Sequence, residues 1–168
     1  MLLNRDVFLK DPTSWTIPND GVAKVGVPET PQQWAVLEHE LRSFVCEGEY
    51  AGGLERILSS YLTHLGQASQ PAVWVSGFYG SGKSHLVRVL EALWRDIEFP
   101  NGERARNMVS LPAEIRNHLV ELSTAGRRHG GLWSAAGTLS AAGDVSVRLA
   151  TLSVVFRAAG LPAQYHQA

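Results

Sequence analysis

Residues 77–84, Gly77-Phe78-Tyr79-Gly80-Ser81-Gly82-Lys83-Ser84, limit what this chain can fold into more than any other stretch. They spell G-x-x-x-x-G-K-[ST], the phosphate-binding loop, and the flanking pattern agrees with it. An apolar run, Val73-Trp74-Val75, precedes the loop, and Leu86, Val89, Leu90, Leu93 and Trp94 follow at helical spacing. Polyphosphate must approach the backbone closely, so the loop needs residues without a Cβ, here Gly77, Gly80 and Gly82. The amides of Gly80, Ser81, Gly82, Lys83, Ser84 and His85 are then expected to point at phosphate oxygens, at the positive end of the following helix. Lys83 is expected to reach the β- and γ-phosphates of ATP, and the Ser84 hydroxyl to complete a Mg²⁺ shell. Phe78 and Tyr79 lie inside the loop, where smaller residues are usual, and are expected to pack on neighbouring elements or on a partner subunit. A chance match is a poor account of four fixed positions in this context.

The rest of the chain is consistent with one domain built on that loop. It has 168 residues, 45% of them hydrophobic and 18% charged, enough for a real core. The net charge of −1 recommends neither nucleic acid nor an acidic membrane as a direct partner. Only three of the basic residues are lysines, Lys10, Lys24 and Lys83. Cys46 is the single cysteine, so an internal disulfide and a thiolate zinc site are both excluded. The six histidines show no metal-ligand spacing. Charge interrupts the N-terminal residues too early for a signal peptide, and no apolar run approaches membrane-spanning length. The expected location is the cytoplasm.

Three regions are expected. Residues 1–30 are dense in Pro and Gly and form an extended arm, with a short strand at 22–25. Residues 31–70 form a helical preamble. Thr30, Pro31 and Gln33 announce the first helix through a capping box, with Trp34, Leu37 and Leu41 on its apolar face. Phe44-Val45-Cys46 suggests a short strand. From about Gly53, the pattern Leu54, Ile57, Leu58, Tyr61, Leu62, Leu65 predicts an amphipathic helix closed by Gly66. Residues 71–168 then hold the loop strand and its helix, a turn at Pro100-Asn101-Gly102, and a polar exposed stretch at 104–107. A helix from near Pro112 turns Ile115, Leu119 and Leu122 inward. A closely approached strand of small residues follows at 132–139, and last comes a helix capped by Asp144 that carries Val147, Leu149, Leu152, Val155 and Phe156 and ends at Gly160-Leu161-Pro162. Trp34, Trp74 and Trp94 are read as core. Strand, loop, helix, helix, strand, helix predicts an α/β fold, the opening of a doubly wound parallel sheet of the P-loop NTPase type with a helical N-terminal preamble.

A hydrolysing enzyme of that type needs a second strand ending in a carboxylate, which holds Mg²⁺ and polarises water. The sequence offers none: Asp144 follows Ala141-Ala142-Gly143, residues 152–156 end in Arg157, and Asp96 closes the loop helix. The expectation is a chain that stops before that strand, with an incomplete sheet, a tendency to self-associate, and ATP binding without hydrolysis. Arg127-Arg128 reads as a solvated turn rather than an arginine finger. Residues 44–50 occupy the position that contacts adenine in many related ATPases and are a candidate for that contact.

Residues 75–86 of the loop strongly resemble those of the large ATPase subunit of BREX and phage-growth-limitation systems, the BrxC/PglY family. So do Asp6-Val7-Phe8, Asn19-Asp20-Gly21-Val22-Ala23-Lys24-Val25, and the segment Gly131-Leu132-Trp133-Ser134-Ala135-Ala136-Gly137-Thr138 with the helix from Val145. The resemblance implies an N-terminal portion of an ATP-binding subunit in a bacterial antiphage defence complex, acting with other subunits of that system. A small nucleotide-kinase-like phosphotransferase, with Arg104, Arg106, Arg127 and Arg128 as lid candidates, remains an alternative. So does an interaction module whose loop is vestigial.

Overall fold

The computed structural model of the protein describes residues 26–139 and 146–162, together with Val7 in the arm. Among the described residues, six α-helices form the regular structure: α1 (Pro31–Ser43), α2 (Gly48–His64), α3 (Lys83–Arg95), α4 (Ala105–Met108), α5 (Ala113–Arg127) and α6 (Val147–Ala158).

The helix starts follow local chemistry. Thr30 caps α1 by accepting from the Gln33 amide at 3.3 Å, and the Gln33 side chain returns the bond to the Thr30 amide at 3.3 Å. Helix α2 begins at Gly48, five residues before the start that the periodicity suggests, and the left-handed Gly66 (φ 86°) follows its end. Helix α6 is capped by Ser146, which accepts from the Leu149 amide at 3.3 Å. Asp144, the expected cap, lies outside the described residues, as do the expected strand at 22–25, nearly all of the arm and most of its resemblance-bearing residues.

One apolar cluster joins α1 to α5. Leu37, Leu41, Leu54, Leu58, Val89, Leu93, Ile115, Leu119 and Leu122 are all almost completely buried within it. Helix α2 packs along α5, and α3 lies against α1, α4 and α5. Fully burying one such side chain is worth about 1.5–3 kcal/mol, so this cluster dominates the stability of the described fold. Trp34 stacks edge-on against Phe99 at 5.0 Å, and Trp94 against Tyr61 at 4.6 Å.

The doubly wound parallel sheet expected from the sequence is absent from the described residues. Their only β pairing is an isolated antiparallel bridge between Glu98 and Arg104, closed by the Pro100-Asn101-Gly102 turn. The physical reason is pairing. A strand satisfies its backbone only through neighbours, and none of the three candidate segments pairs with another. Residues 71–78 run without ladder partners and Trp74 is 90% exposed, so it is not a core residue. Phe44 and Cys46 are buried while Val45 is exposed, the alternation of a strand, but the segment is a connector between two helices. Residues 132–139 are irregular. Their smallness does serve close approach, since a Cβ on Gly137 would lie 2.7 Å from the Val154 side chain.

One further expectation is corrected. Residues 105–108 form α4 and bury Ala105 and Met108, while Arg106 reaches inward. Its guanidinium donates to the Leu93 carbonyl at 2.7 Å, the Trp94 carbonyl at 3.2 Å, the Leu119 carbonyl at 2.9 Å and the Ser123 hydroxyl at 2.6 Å. These bonds satisfy the last carbonyls of α3, so a residue that looks like exposed punctuation locks three helices together. Helix α6 forms as expected but buries no residue, and Val147 is 73% exposed. No helix among the described residues is long and apolar enough to cross a membrane.

The difference between α5 and α6 is measurable. Leu119→Ala should lower the unfolding free energy by about 2–5 kcal/mol in chemical denaturation, whereas Val147→Ala should change it by less than about 0.5 kcal/mol.

Candidate functional site

The glycine loop leads directly into α3. Gly82 occupies the N-cap position in the left-handed region (φ 78°), and Lys83 is the first helical residue. Gly80 is also left-handed, at φ 79°. Neither position suits a side chain, and Gly82 has a second reason: a Cβ there would lie 2.5 Å from the Tyr50 hydroxyl. Gly77 is needed for space, because its Cβ would lie 2.8 Å from the Ser81 hydroxyl. All three glycines expected from the motif therefore have a steric rationale.

No side chain caps α3. The Leu86 amide donates to the Gly82 carbonyl at 2.9 Å, and the amides of Lys83, Ser84 and His85 precede the first possible intrahelical acceptor. They form the positive end of a helix whose remaining length is held in the core. The Lys83 ammonium turns back into the loop, donating to the Gly77 carbonyl at 2.9 Å, the Phe78 carbonyl at 2.7 Å and the Ser81 hydroxyl at 3.3 Å. Ser84 is exposed beside it. Gly77, Gly80, Ser81, Gly82, Lys83, Ser84 and His85 are thus gathered at one helix end. Phe78 and Tyr79 are not packed as expected: they are 92% and 96% exposed, at the loop's outer turn.

A cleft of about 960 Å³ opens from the loop along α2. Lys83, Gly77 and Ser81 line one part of it, Glu49, Tyr50, Arg56 and Ser60 of α2 another, and Trp74 and Phe78 border it. Of residues 44–50, the candidate adenine contact, Glu49 and Tyr50 line the cleft, whereas Phe44 is buried behind them. Arg56 and Ser60 went unnoticed in the sequence because the helical pattern identifies only the buried face of α2. Their one available signal was position: they fall on the opposite side from Leu54 and Leu58.

Behind the loop, α3 is held to α1 by buried charge. His85 Nε2 pairs with the Glu40 carbonyl at 3.0 Å. Arg88 is buried, with its Nε 3.6 Å from the Glu40 carboxylate and its Nη1 3.9 Å from that of Glu91. Arg88 also donates to the Gly26 carbonyl, and Glu91 accepts from the Gly26 amide at 3.3 Å, so the chain entering α1 is clasped to α3. The Glu40–Arg88 contact is too long for a hydrogen bond, and both facing atoms lack another hydrogen-bond partner. Burial accordingly pushes the Glu40 carboxyl above its ordinary value, outweighing the opposing pull of Arg88 and His85. Among the described residues no cluster of His, Cys, Asp or Glu could hold a metal ion. Arg127 and Arg128 are exposed at the end of α5, as expected of a solvated turn.

No protein-family model and no solved structure matches this chain.

A glutamate whose carboxyl titrates higher in the folded state favours folding below its ordinary value of 4.5, and this contribution is lost as pH rises through the folded value. Glu40→Gln removes the titration. Denaturation midpoints measured from about pH 4 to pH 7 should therefore show the wild type losing stability relative to Glu40→Gln as pH rises. Parallel curves would contradict the assigned burial.

Proposed function

We propose that this chain binds the polyphosphate of ATP, with Mg²⁺, at the glycine loop on the N-terminus of α3. One observation carries the reading: the uncapped start of α3, the left-handed Gly80 and Gly82 and the inward-turned Lys83 ammonium meet in one cleft. Helix dipole, unsatisfied amides and a cation all favour an anion there. In the proposed complex, phosphate oxygens take the place of the loop carbonyls as acceptors for Lys83. The Ser84 hydroxyl supplies one oxygen ligand to Mg²⁺, a cation that neutralises phosphate charge when bound. The cleft along α2 has the volume of a small-molecule site, about 300–1,000 Å³, and would take the nucleoside beside Glu49 and Arg56.

The biological setting we propose is the one that the loop's resemblance implies: an ATP-binding component of a bacterial antiphage defence system of the BREX or phage-growth-limitation kind, acting in the cytoplasm with other subunits. The exposed Trp74, Phe78 and Tyr79 supply apolar surface for such contacts or for self-association. Turnover is not included in the proposal, because no carboxylate-bearing strand stands beside the loop among the described residues.

Calorimetric titration with ATP tests the reading. Lys83→Ala should weaken binding at least about tenfold, with an unchanged circular dichroism spectrum, because Lys83 bonds to the loop and not to the core. Equal affinities for wild type and variant would show that ATP does not bind at the loop. Ser84→Ala should weaken binding in the presence of Mg²⁺ more than in its absence. Equal losses in both conditions would remove Ser84 from the metal.

A further inference from the structure

The three amides that begin α3 are bracketed by two anchors from the corner between α1 and α2. On one side, the Tyr50 hydroxyl of α2 donates to the Ser81 carbonyl. On the other, His85 is fixed through its ring nitrogen to the Glu40 carbonyl of α1 at 3.0 Å. A single buried ring backs both. Phe44 stacks edge-on against Tyr50 at 5.9 Å and 81°, and against His85 at 5.5 Å and 88°. The corner therefore grips the loop at residue 81 and again at residue 85, with Gly82, Lys83 and Ser84 between.

The Tyr50 contact has a consequence that follows from peptide geometry. No peptide bond in the described residues is cis, so the carbonyl of Ser81 and the amide of Gly82 point in opposite directions across one rigid plane. Holding the Ser81 carbonyl on Tyr50 turns the Gly82 N–H away from α2. Without that hold, the plane between Ser81 and Gly82 is free to flip, since glycine at 82 opposes rotation less than any other residue. Gly82 also excludes side chains in favour of this arrangement, because a Cβ there would collide with the same hydroxyl.

We propose that Tyr50 is a positioning residue for polyphosphate: its hydroxyl orients the Ser81–Gly82 peptide so that the Gly82 amide joins those of Lys83, Ser84 and His85 in binding phosphate oxygens. The inference rests on the ATP-binding reading and extends it to a residue outside the motif, 31 positions upstream of Ser81. Tyr50 acts on the phosphates through the loop. A tyrosine serving the nucleoside instead would leave phosphate binding untouched.

The test compares two probes, MgATP and inorganic tripolyphosphate, on wild type, Tyr50→Phe and Lys83→Ala. Tyr50→Phe keeps the ring that packs on Phe44 and deletes only the hydroxyl. It should weaken both probes by the same factor, about 3- to 10-fold, the scale of one lost hydrogen bond. The melting temperature without ligand should stay within about 2 °C of wild type. A loss confined to MgATP would make Tyr50 a nucleoside contact and overturn the proposal, and so would unchanged affinity for both probes. If wild type binds neither probe, the ATP-binding reading fails and this inference with it. If Lys83→Ala abolishes binding while Tyr50→Phe does not alter it, only the inference fails. Should Tyr50→Phe not fold, the Gly82 amide resonance of wild type decides: a downfield shift on adding tripolyphosphate supports the proposal, and an unmoved resonance overturns it.

Discussion

The burial of α3 is the constraint on which the rest of the described structure depends. Leu86, Val89, Ala92 and Leu93 seat it in the core against α1, α4 and α5. Arg106 ties its last carbonyls to α5, and Arg88 and Glu91 clasp the chain that enters α1. A helix held this firmly cannot use a flexible end to satisfy its first amides. Those amides are left to the glycine loop, at the edge of an open cleft. The same packing that stabilises the fold thus leaves these amides at the cleft proposed to bind phosphate, with no sheet among the described residues.

Helical features were readable from the residues because they are local. The capping box of Thr30 and Gln33, the inward face of Ile115, Leu119 and Leu122, and the helix that begins at Lys83 all depend on spacings of three or four positions. The glycines of the loop were readable for the same reason: left-handed backbone and crowding are written at single positions. Strands are different. Val73-Trp74-Val75 has the composition of a buried strand, yet composition cannot supply the neighbour that a strand must bond to, and the segment stands exposed. The sheet expected from the order strand, loop, helix, helix, strand, helix rests on apolar composition and not on pairing signals in this chain. Helix α6 forms where its apolar residues predict a helix, but those residues wrap around it instead of forming one stripe, and none is buried.

Contacts between distant segments were the least visible. Arg106 looks like one more charge in a polar stretch until its four acceptors on two other helices are seen. Tyr50 lies at the start of α2, where nothing in its neighbours hints that its hydroxyl meets Ser81. Such residues are found only when the helices are placed. They are also the ones that turn a motif, common in outline, into a loop of definite shape.

Hydrogen–deuterium exchange at single-residue resolution, with and without MgATP, tests the central claim most directly. If the start of α3 is the phosphate site, the amides of Gly82, Lys83, Ser84 and His85 should slow on adding MgATP in wild type and stay fast in Lys83→Ala. Amides deep in α5 should slow no more than the whole fold is stabilised by ligand. Exchange at residues 82–85 that is indifferent to MgATP, or protection confined to another part of the chain, would contradict the account.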